Sequence, residues 1–366
     1  MKRLFALLLL VAPSVLAVQL GPEWRLGHAL SEVYVATADG YVAFWNDGAD
    51  LKAVHIALDG TMGAQTTVAH DLYAGGAARD GDSIVVIAQQ SANFRSPIYA
   101  FRVGPDLHAA NPVVIFGGSG AAPSIVADRG ELFAGWLDGA SLVLAHLDAS
   151  LRTVSQKVFR LGTGVPRPST FVLAASVIGL LVAWDELIAC QQDQFGDPCI
   201  QPTRVRAARV SFDLTAADTT GIDLGMARSS VGGAWWDGTV WNVLWTDSRN
   251  VNLSRIDASG MLLDVAPRVV LASPSRQYFS VRGSDGYVAA KFAGTAPDYL
   301  SGVVLARLTG NGIQQATLLN AFSIFFRIVP GADGRALFGY DGGSPFDAVY
   351  RIVDFNAEGG RPRPAR

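Results

Sequence analysis

The sequence is short of cysteine, of surplus positive charge and of helical periodicity, and each shortage removes a class of protein. Only two cysteines occur in 366 residues, too few for a disulfide-dense scaffold or a cysteine-rich zinc module. Lys and Arg number 29 against 32 Asp and Glu, which gives no electrostatic footprint for nucleic acid or an anionic membrane. The five histidines are scattered singly. H-E-x-x-H and G-x-S-x-G are both absent, and GGSG (117–120) has no following Lys to make it a phosphate cradle. No cofactor and no metal are expected, and GGSG is expected to be a turn.

Long apolar runs are also scarce. One opens the chain, MKRLFALLLLVAPSVLA, where Lys2 and Arg3 precede an apolar stretch and Val15 and Ala17 occupy small-residue cleavage positions. This is the pattern of a secretory signal peptide cleaved after Ala17, which places the mature protein in the periplasm or outside the cell. The other, FVLAASVIGLLVAW (171–184), is below spanning length and ends in Asp185-Glu186, so it is expected to be a buried strand pair and no membrane insertion is expected. In an exported chain Cys190 and Cys199 read as a disulfide clamping a short loop. The basic end RPRPAR (361–366) reads as a frayed, proline-broken tail over 357–366.

What the chain does contain is a repeat. A basic residue recurs as His55, Arg102, His146, Arg209, Arg255, Arg307 and Arg351. Upstream of each stands a large apolar residue: Trp45, Ile87, Trp136, Trp184, Trp245, Phe292 and Tyr340. The copies hold four short β-branched or aromatic segments separated by turn residues, the seventh only three, in copy three SIVAD (124–128), LFAGW (132–136), LVLAHL (142–147) and VFRLG (158–162). Asp-Gly between two such runs, as in NDGA (46–49) and LDGA (137–140), marks a hairpin. Four antiparallel strands repeated seven times make an all-β, seven-bladed β-propeller over residues 18–356.

The repeat resembles that of exported bacterial β-propeller proteins with a W-x-D … A-R-V-D-x-x-G pattern, carried here by WTDSRN…SRIDASG (245–260) and WLDG…AHLDAS (136–150). The resemblance implies an architecture and no activity. It differs from the WD40 pattern, which sets Gly-His ahead of a distant Trp-Asp. Copy seven runs out of sequence after AVYRIV (348–353), while EWRLG (23–27) matches VFRLG (158–162). The N-terminal segment is therefore expected to complete the last blade, which removes an open sheet edge.

Three residue columns invite functional readings that structure explains better. The Trp column is expected to fill the wedge between blades. Asp47, Asp138, Asp247 and Asp341 are expected to form turns. The basic column is expected to pair with a carboxylate or carbonyl of the neighbouring blade.

Function is expected in the hairpins between second and third strands. The interval from the apolar slot to the basic marker is ten or eleven residues in four copies but 15, 25 and 15 in copies two, four and six. Insertions on one face of a repeat protein often form its binding surface. The candidate ligand-binding residues there are Phe94, Arg95, Asp193, Phe195 and Tyr299, aromatic platforms among amides and charges that suit a sugar or peptide. The expected protein is a monomeric, non-catalytic binder of a glycan or an extracytoplasmic protein. The alternative is a carbohydrate-active hydrolase or lyase using central carboxylates, with Asp128, Asp185 and Asp285 as contributors. His70-Asp71 is not expected to act as a dyad, because adjacent strand residues face opposite ways.

Overall fold

The computed structural model describes residues 19–21, 24–28, 30–90, 96–139, 141–160, 170–187, 203–227, 231–247, 249–272, 276–282, 285–291, 302–309, 312–320, 326–331, 334–341 and 347–355. Every element among them is a strand, beginning with β1 (Gln19–Leu20) and β2 (Trp24–His28). Copy one follows as β3 (Leu30–Ala36), β4 (Gly40–Asp47), β5 (Asp50–Ala57) and β6 (Thr66–His70), each pairing antiparallel with the next. Copies two and three share one seven-stranded sheet: β7 (Tyr73–Asp80), β8 (Ser83–Gln89), β9 (Ser96–Val103), β10 (Val113–Asp128), β11 (Glu131–Asp138), β12 (Ser141–Leu147) and β13 (Thr153–Arg160).

Copy four comprises β14 (Phe171–Ser176), β15 (Gly179–Leu187), β16 (Thr203–Val210) and β17 (Ile222–Ala227). Copy five comprises β18 (Val231–Trp236), β19 (Val240–Thr246), β20 (Asn250–Asp257) and β21 (Arg268–Ala272), and copy six β22 (Arg276–Arg282), β23 (Asp285–Lys291), β24 (Gly302–Thr309) and β25 (Gly312–Asn320). The last sheet joins β26 (Phe326–Pro330), β27 (Arg335–Asp341) and β28 (Asp347–Asp354) to β1 and β2.

The expected pairing of the chain's beginning with its last sheet is found: Trp24 lies opposite Tyr350, Arg25 opposite Val349 and Leu20 opposite Val353. Two sequence expectations need correction. GGSG (117–120) is no turn, because β10 runs through it, pairing with β9 as far as Gly120 and with β11 from Ala121 onward. Glycine is needed at this crossing: a Cβ on Gly120 would stand 2.4 Å from Ile98 Cδ1 and 3.1 Å from Trp136. The fourth strand of copy three is Thr153–Arg160 rather than 158–162, since the Asp148–Arg152 turn returns the chain at once to pair with β12.

The second strands explain the continuous apolar runs. β4, β8, β11 and β19 are buried along nearly their whole length, because a sheet packed between two others has no solvated face and loses the in-out alternation. The first strands touch in a closed circuit, β3 to β7, β7 to β10, then β14, β18, β22, β26 and back to β3. Apolar clusters fill the gaps between neighbouring copies, and the one holding Tyr41, Ala43 and Trp45 against Leu337, Tyr350 and Ile352 joins copy one to copy seven. Trp136 packs into copy two, Trp184 into copy three and Trp245 into copy four. These rings are inter-sheet wedges, as expected. Phe292 lies outside the described residues.

Candidate binding face

Antiparallel order fixes which loops share an end of a sheet. First-to-second and third-to-fourth turns lie at one end; second-to-third hairpins lie at the other, with the links to the next copy. The intervals between β8 and β9, β15 and β16, and β23 and β24 (90–95, 188–202 and 292–301) are longer than the two-residue Gly48-Ala49 hairpin between β4 and β5. They all leave from the second-to-third end. The candidate residues Phe94, Arg95, Asp193, Phe195 and Tyr299, and the Cys190–Cys199 pair, lie outside the described residues.

The stems of these hairpins are described. In copy two, Gln89 Nε2 donates to Gly120 O at 2.6 Å, and Ser96 Oγ accepts from Gln90 N at 3.1 Å. In copy four, Asp185 Oδ1 accepts from Thr170 N at 2.6 Å and from its hydroxyl at 2.7 Å. Beside it Arg206 Nε donates to Glu186 Oε2 at 2.7 Å, with both side chains at least nine-tenths buried, and Arg206 Nη1 reaches Thr220 O at 2.7 Å. A buried pair of this kind holds its strands in one register because neither charge can be left alone without a large penalty. The sequence signal was legible afterwards: Asp185-Glu186 and Arg204, Arg206 stand on adjacent strands, with Glu186 opposite Arg204. In copy one, His70 Nδ1 lies 2.7 Å from Asp50 Oδ1, its cross-strand partner, so the histidine engages Asp50 and not Asp71.

The three carboxylates weighed for catalysis do not converge. Asp185 closes β15 at the hairpin end, buried against Thr170. Asp128 and Asp285 flank first-to-second turns at the opposite end, a strand length of roughly 20 Å away. Asp285 is moreover held by Arg307 Nε at 2.8 Å. The turn role of Asp247 is found: its oxygens accept from Arg249 N, Asn250 N and the amides of Asn250 and Asn252. Burial opposes ionisation there, but these donors prevail and hold the carboxyl below its ordinary value. Among the described residues, no three His, Cys, Asp or Glu are grouped to hold a metal ion.

The basic column lies at the other end, and its partners correct the expectation in part. The carboxylates belong to the same copy: Asp80 for Arg102, Glu131 for His146, Asp218 for Arg209, Asp264 for Arg255 and Asp285 for Arg307. The next copy supplies carbonyls. His55 Nε2 lies 2.7 Å from Pro105 O, Arg102 Nε donates to Ala149 O at 3.2 Å and Arg209 Nη1 to Ala258 O at 2.5 Å. Each acceptor stands three residues beyond the basic residue of its own copy. At the corresponding place in copy four, Phe212 instead stacks on Phe133 (5.7 Å), which also stacks on His146 (4.9 Å). Across to the neighbouring copy the side chain reaches a carbonyl, one of the two partners expected, because that copy presents the backbone of its third-to-fourth turn there.

No protein-family model matches the chain, and no curated protein matches it. Solved structures do. The BBS1N structure in complex with ARL6DN superposes over 96% of this chain and 99% of its own with a TM-score of 0.57 at 9% identity. The WD40 repeats of RRP9 cover 92% of this chain and all of their own at 0.54 and 11% identity. The structure of U3-55K covers 92% and 98% at 0.53 and 10% identity. At such identities the likeness concerns the fold alone, and the fold of this all-β chain is that of β-propeller proteins.

Proposed function

We propose that the chain is an exported, non-catalytic propeller of seven four-stranded blades that binds a glycan or a surface protein through the hairpins of copies two, four and six. Cutting β10 where its partner changes from β9 to β11 turns the seven-stranded sheet into two blades of four, and β1 and β2 together supply the outer strand of the seventh. The observation that carries the binding reading is that the three long intervals all begin and end at one end of the sheets. The buried Glu186–Arg206 pair under the longest one supports it, since a stem held in one register lowers the ordering cost of binding. Dispersal of Asp128, Asp185 and Asp285 over both ends disfavours the hydrolase alternative.

Glycan-array and envelope-protein screening of the protein lacking residues 1–17 tests the reading. A Phe195→Ala/Tyr299→Ala variant should lose the captured ligand and keep its thermal midpoint. Retention of binding by that variant rejects this face, and turnover of a glycan that stops on Asp185→Asn rejects the non-catalytic reading.

A further inference from the structure

At the end of the sheets opposite the long hairpins, copies four and five each expose three aliphatic or aromatic residues, whereas copy three exposes Val154 there and copy six Ile313. Val177 and Ile178 form the tip of the β14–β15 hairpin and are about half exposed, whereas the corresponding tips carry Ala38-Asp39, Gly81-Asp82, Arg129-Gly130 and Asp237-Gly238. Phe212 is 39% exposed, Met261 62%, Leu263 40% and Val265 fully. Six residues beyond the basic marker, where copy five has Met261, copies one to four have Thr61, His108, Arg152 and Thr215, and copy six has Ile313, 41% exposed.

The turns that carry these residues are neighbours. A Cβ on Gly179 would lie 3.7 Å from Ser211 Cα, which places the β14–β15 turn beside the turn that carries Phe212. The Arg209 guanidinium bridges to the next turn through Ala258 O and lies over Gly260, immediately before Met261. From there Met261, Leu263 and Val265 follow at alternate positions. The residues between them are spent inward, Leu262 on the copy-four–copy-five cluster and Asp264 on Arg255 and Arg268. Exposed apolar side chains on neighbouring turns, held in place by ion pairs between and beneath them, are the composition of an interaction site.

The rim selects the partner. The arginines at this end of copies four and five are engaged, Arg209 by Asp218 and both Arg255 and Arg268 by Asp264. Asp213, Asp237 and Asp257 instead accept from backbone N–H groups and neutral side chains. Arg209 also feels Asp257 and Arg255 also feels Asp237, but with Asp218 and Asp264 there are five carboxylates against three arginines, so this end keeps a negative surplus. A second copy would bring acidic rim against acidic rim, and an anionic lipid surface would be repelled likewise. We propose that this surface docks a polypeptide segment whose aliphatic or aromatic side chains are flanked by Lys or Arg.

The probe is a fluorescein-labelled amphipathic peptide of leucine and lysine, compared by anisotropy with its leucine–glutamate counterpart. The lysine peptide should bind and the glutamate peptide should not. Ile178→Ser/Met261→Ser/Val265→Ser should weaken binding by about tenfold or more; these side chains are exposed, so the thermal midpoint should hold. Asp213→Asn/Asp257→Asn keeps the turn-capping acceptors and should weaken binding while removing most of its salt dependence. Equal binding of both peptides, or undiminished binding by the triple variant, overturns the proposal. So does self-association in sedimentation, or flotation with phosphatidylcholine vesicles, that the triple variant loses, because the occupant is then a second copy or a lipid surface.

Discussion

The Arg209 guanidinium occupies the space that a side chain on Gly260 would need. A Cβ there would stand 2.6 Å from Nη2, while Nη1 reaches Ala258 O at 2.5 Å. Gly260 sits at φ +93°, so substitution there meets a conformational cost and a collision together. Gly238, at φ +101° with nothing within 4 Å of its Cβ direction, meets only the first. Gly238→Ala should cost about 1 kcal/mol and Gly260→Ala about 2–3 kcal/mol, the excess being the displaced charged hydrogen bond. Urea unfolding of the two variants measures that excess; equal losses would show that Arg209 contributes no latch.

The left-handed turn position continues through other copies, and leucine fills it in three of them. Leu107, Leu151 and Leu214 have φ between 62° and 64° and are buried. Here burial outweighs backbone strain. Leu214→Gly should relieve the strain and still destabilise by about 2 kcal/mol or more, because it opens a cavity beside Leu180 and Trp184. A gain in thermal midpoint would reverse that ranking.

How much of this was legible in the sequence depends on whether a residue acts within its repeat or across to a neighbour. Trp45, Trp136 and Trp184 recur at one place in the repeat, and recurrence identified them as wedges. Trp24 to His28 could be placed beside β28 because the repeat lacked one strand. A neighbouring carbonyl was expected as one kind of partner for His55, Arg102 and Arg209, but not which residue supplies it, since a backbone acceptor leaves no mark on residue type. GGSG misled for a related reason: glycine serves close packing at Ile98 and Trp136 as readily as it serves a turn. The Glu186–Arg206 pair has counterparts at the same places in Asp47–Lys52 and Asp247–Asn252, but the residue types differ between copies and the long interval in copy four hides the shared register. The binding candidates Phe94, Arg95, Asp193, Phe195 and Tyr299 sit in insertions, where the repeat constrains length but not conformation.

Trp45 and Tyr350 seal copy one to copy seven, with Tyr34 bonded to Tyr350 through their hydroxyls. Trp45→Ala should cost about 3–5 kcal/mol by cavity formation. Deleting residues 19–28 should act differently. It bares the β28 edge that Leu20, Trp24 and Arg25 cover, and an unpaired edge invites association with other chains. The deletion variant should aggregate at concentrations where Trp45→Ala stays dispersed, which light scattering compares directly. Equal dispersal of both would mean that the N-terminal strands do not protect the edge.

The buried pair under the copy-four hairpin makes a cycle of substitutions informative. Arg206→Met alone takes the Nε donor from the buried Glu186 carboxylate, and Glu186→Gln alone takes the anion from the buried guanidinium; each should cost about 3–5 kcal/mol. The double substitution removes both charges from a site whose side chains are under a tenth exposed. It should therefore recover much of the loss. Additive losses in the cycle would mean that the two residues are not coupled and that the stem is held by Asp185 and Thr170 alone.

Acid should loosen the end of the sheets that holds the basic column before it affects the apolar clusters. Asp264 is held below its ordinary value of 3.8 chiefly by the hydrogen bonds from Arg255, with Arg268 adding to them. Burial opposes ionisation of Asp218, but Arg209 lowers it overall. A carboxyl whose folded pKa is depressed contributes stability that is complete above its unfolded value, near 3.9, and that disappears as pH falls through the folded value. The loss should therefore begin below about pH 4, where both carboxyls start to take up protons in the unfolded chain. Asp264→Asn retains an acceptor but cannot titrate, so its stability should be lower at neutral pH and should fall less steeply on acidification. Denaturant midpoints of both proteins across pH 2–7, about the span in which carboxylates titrate, provide the check. Parallel curves would place the acid sensitivity elsewhere than in the Arg255–Asp264–Arg268 cluster.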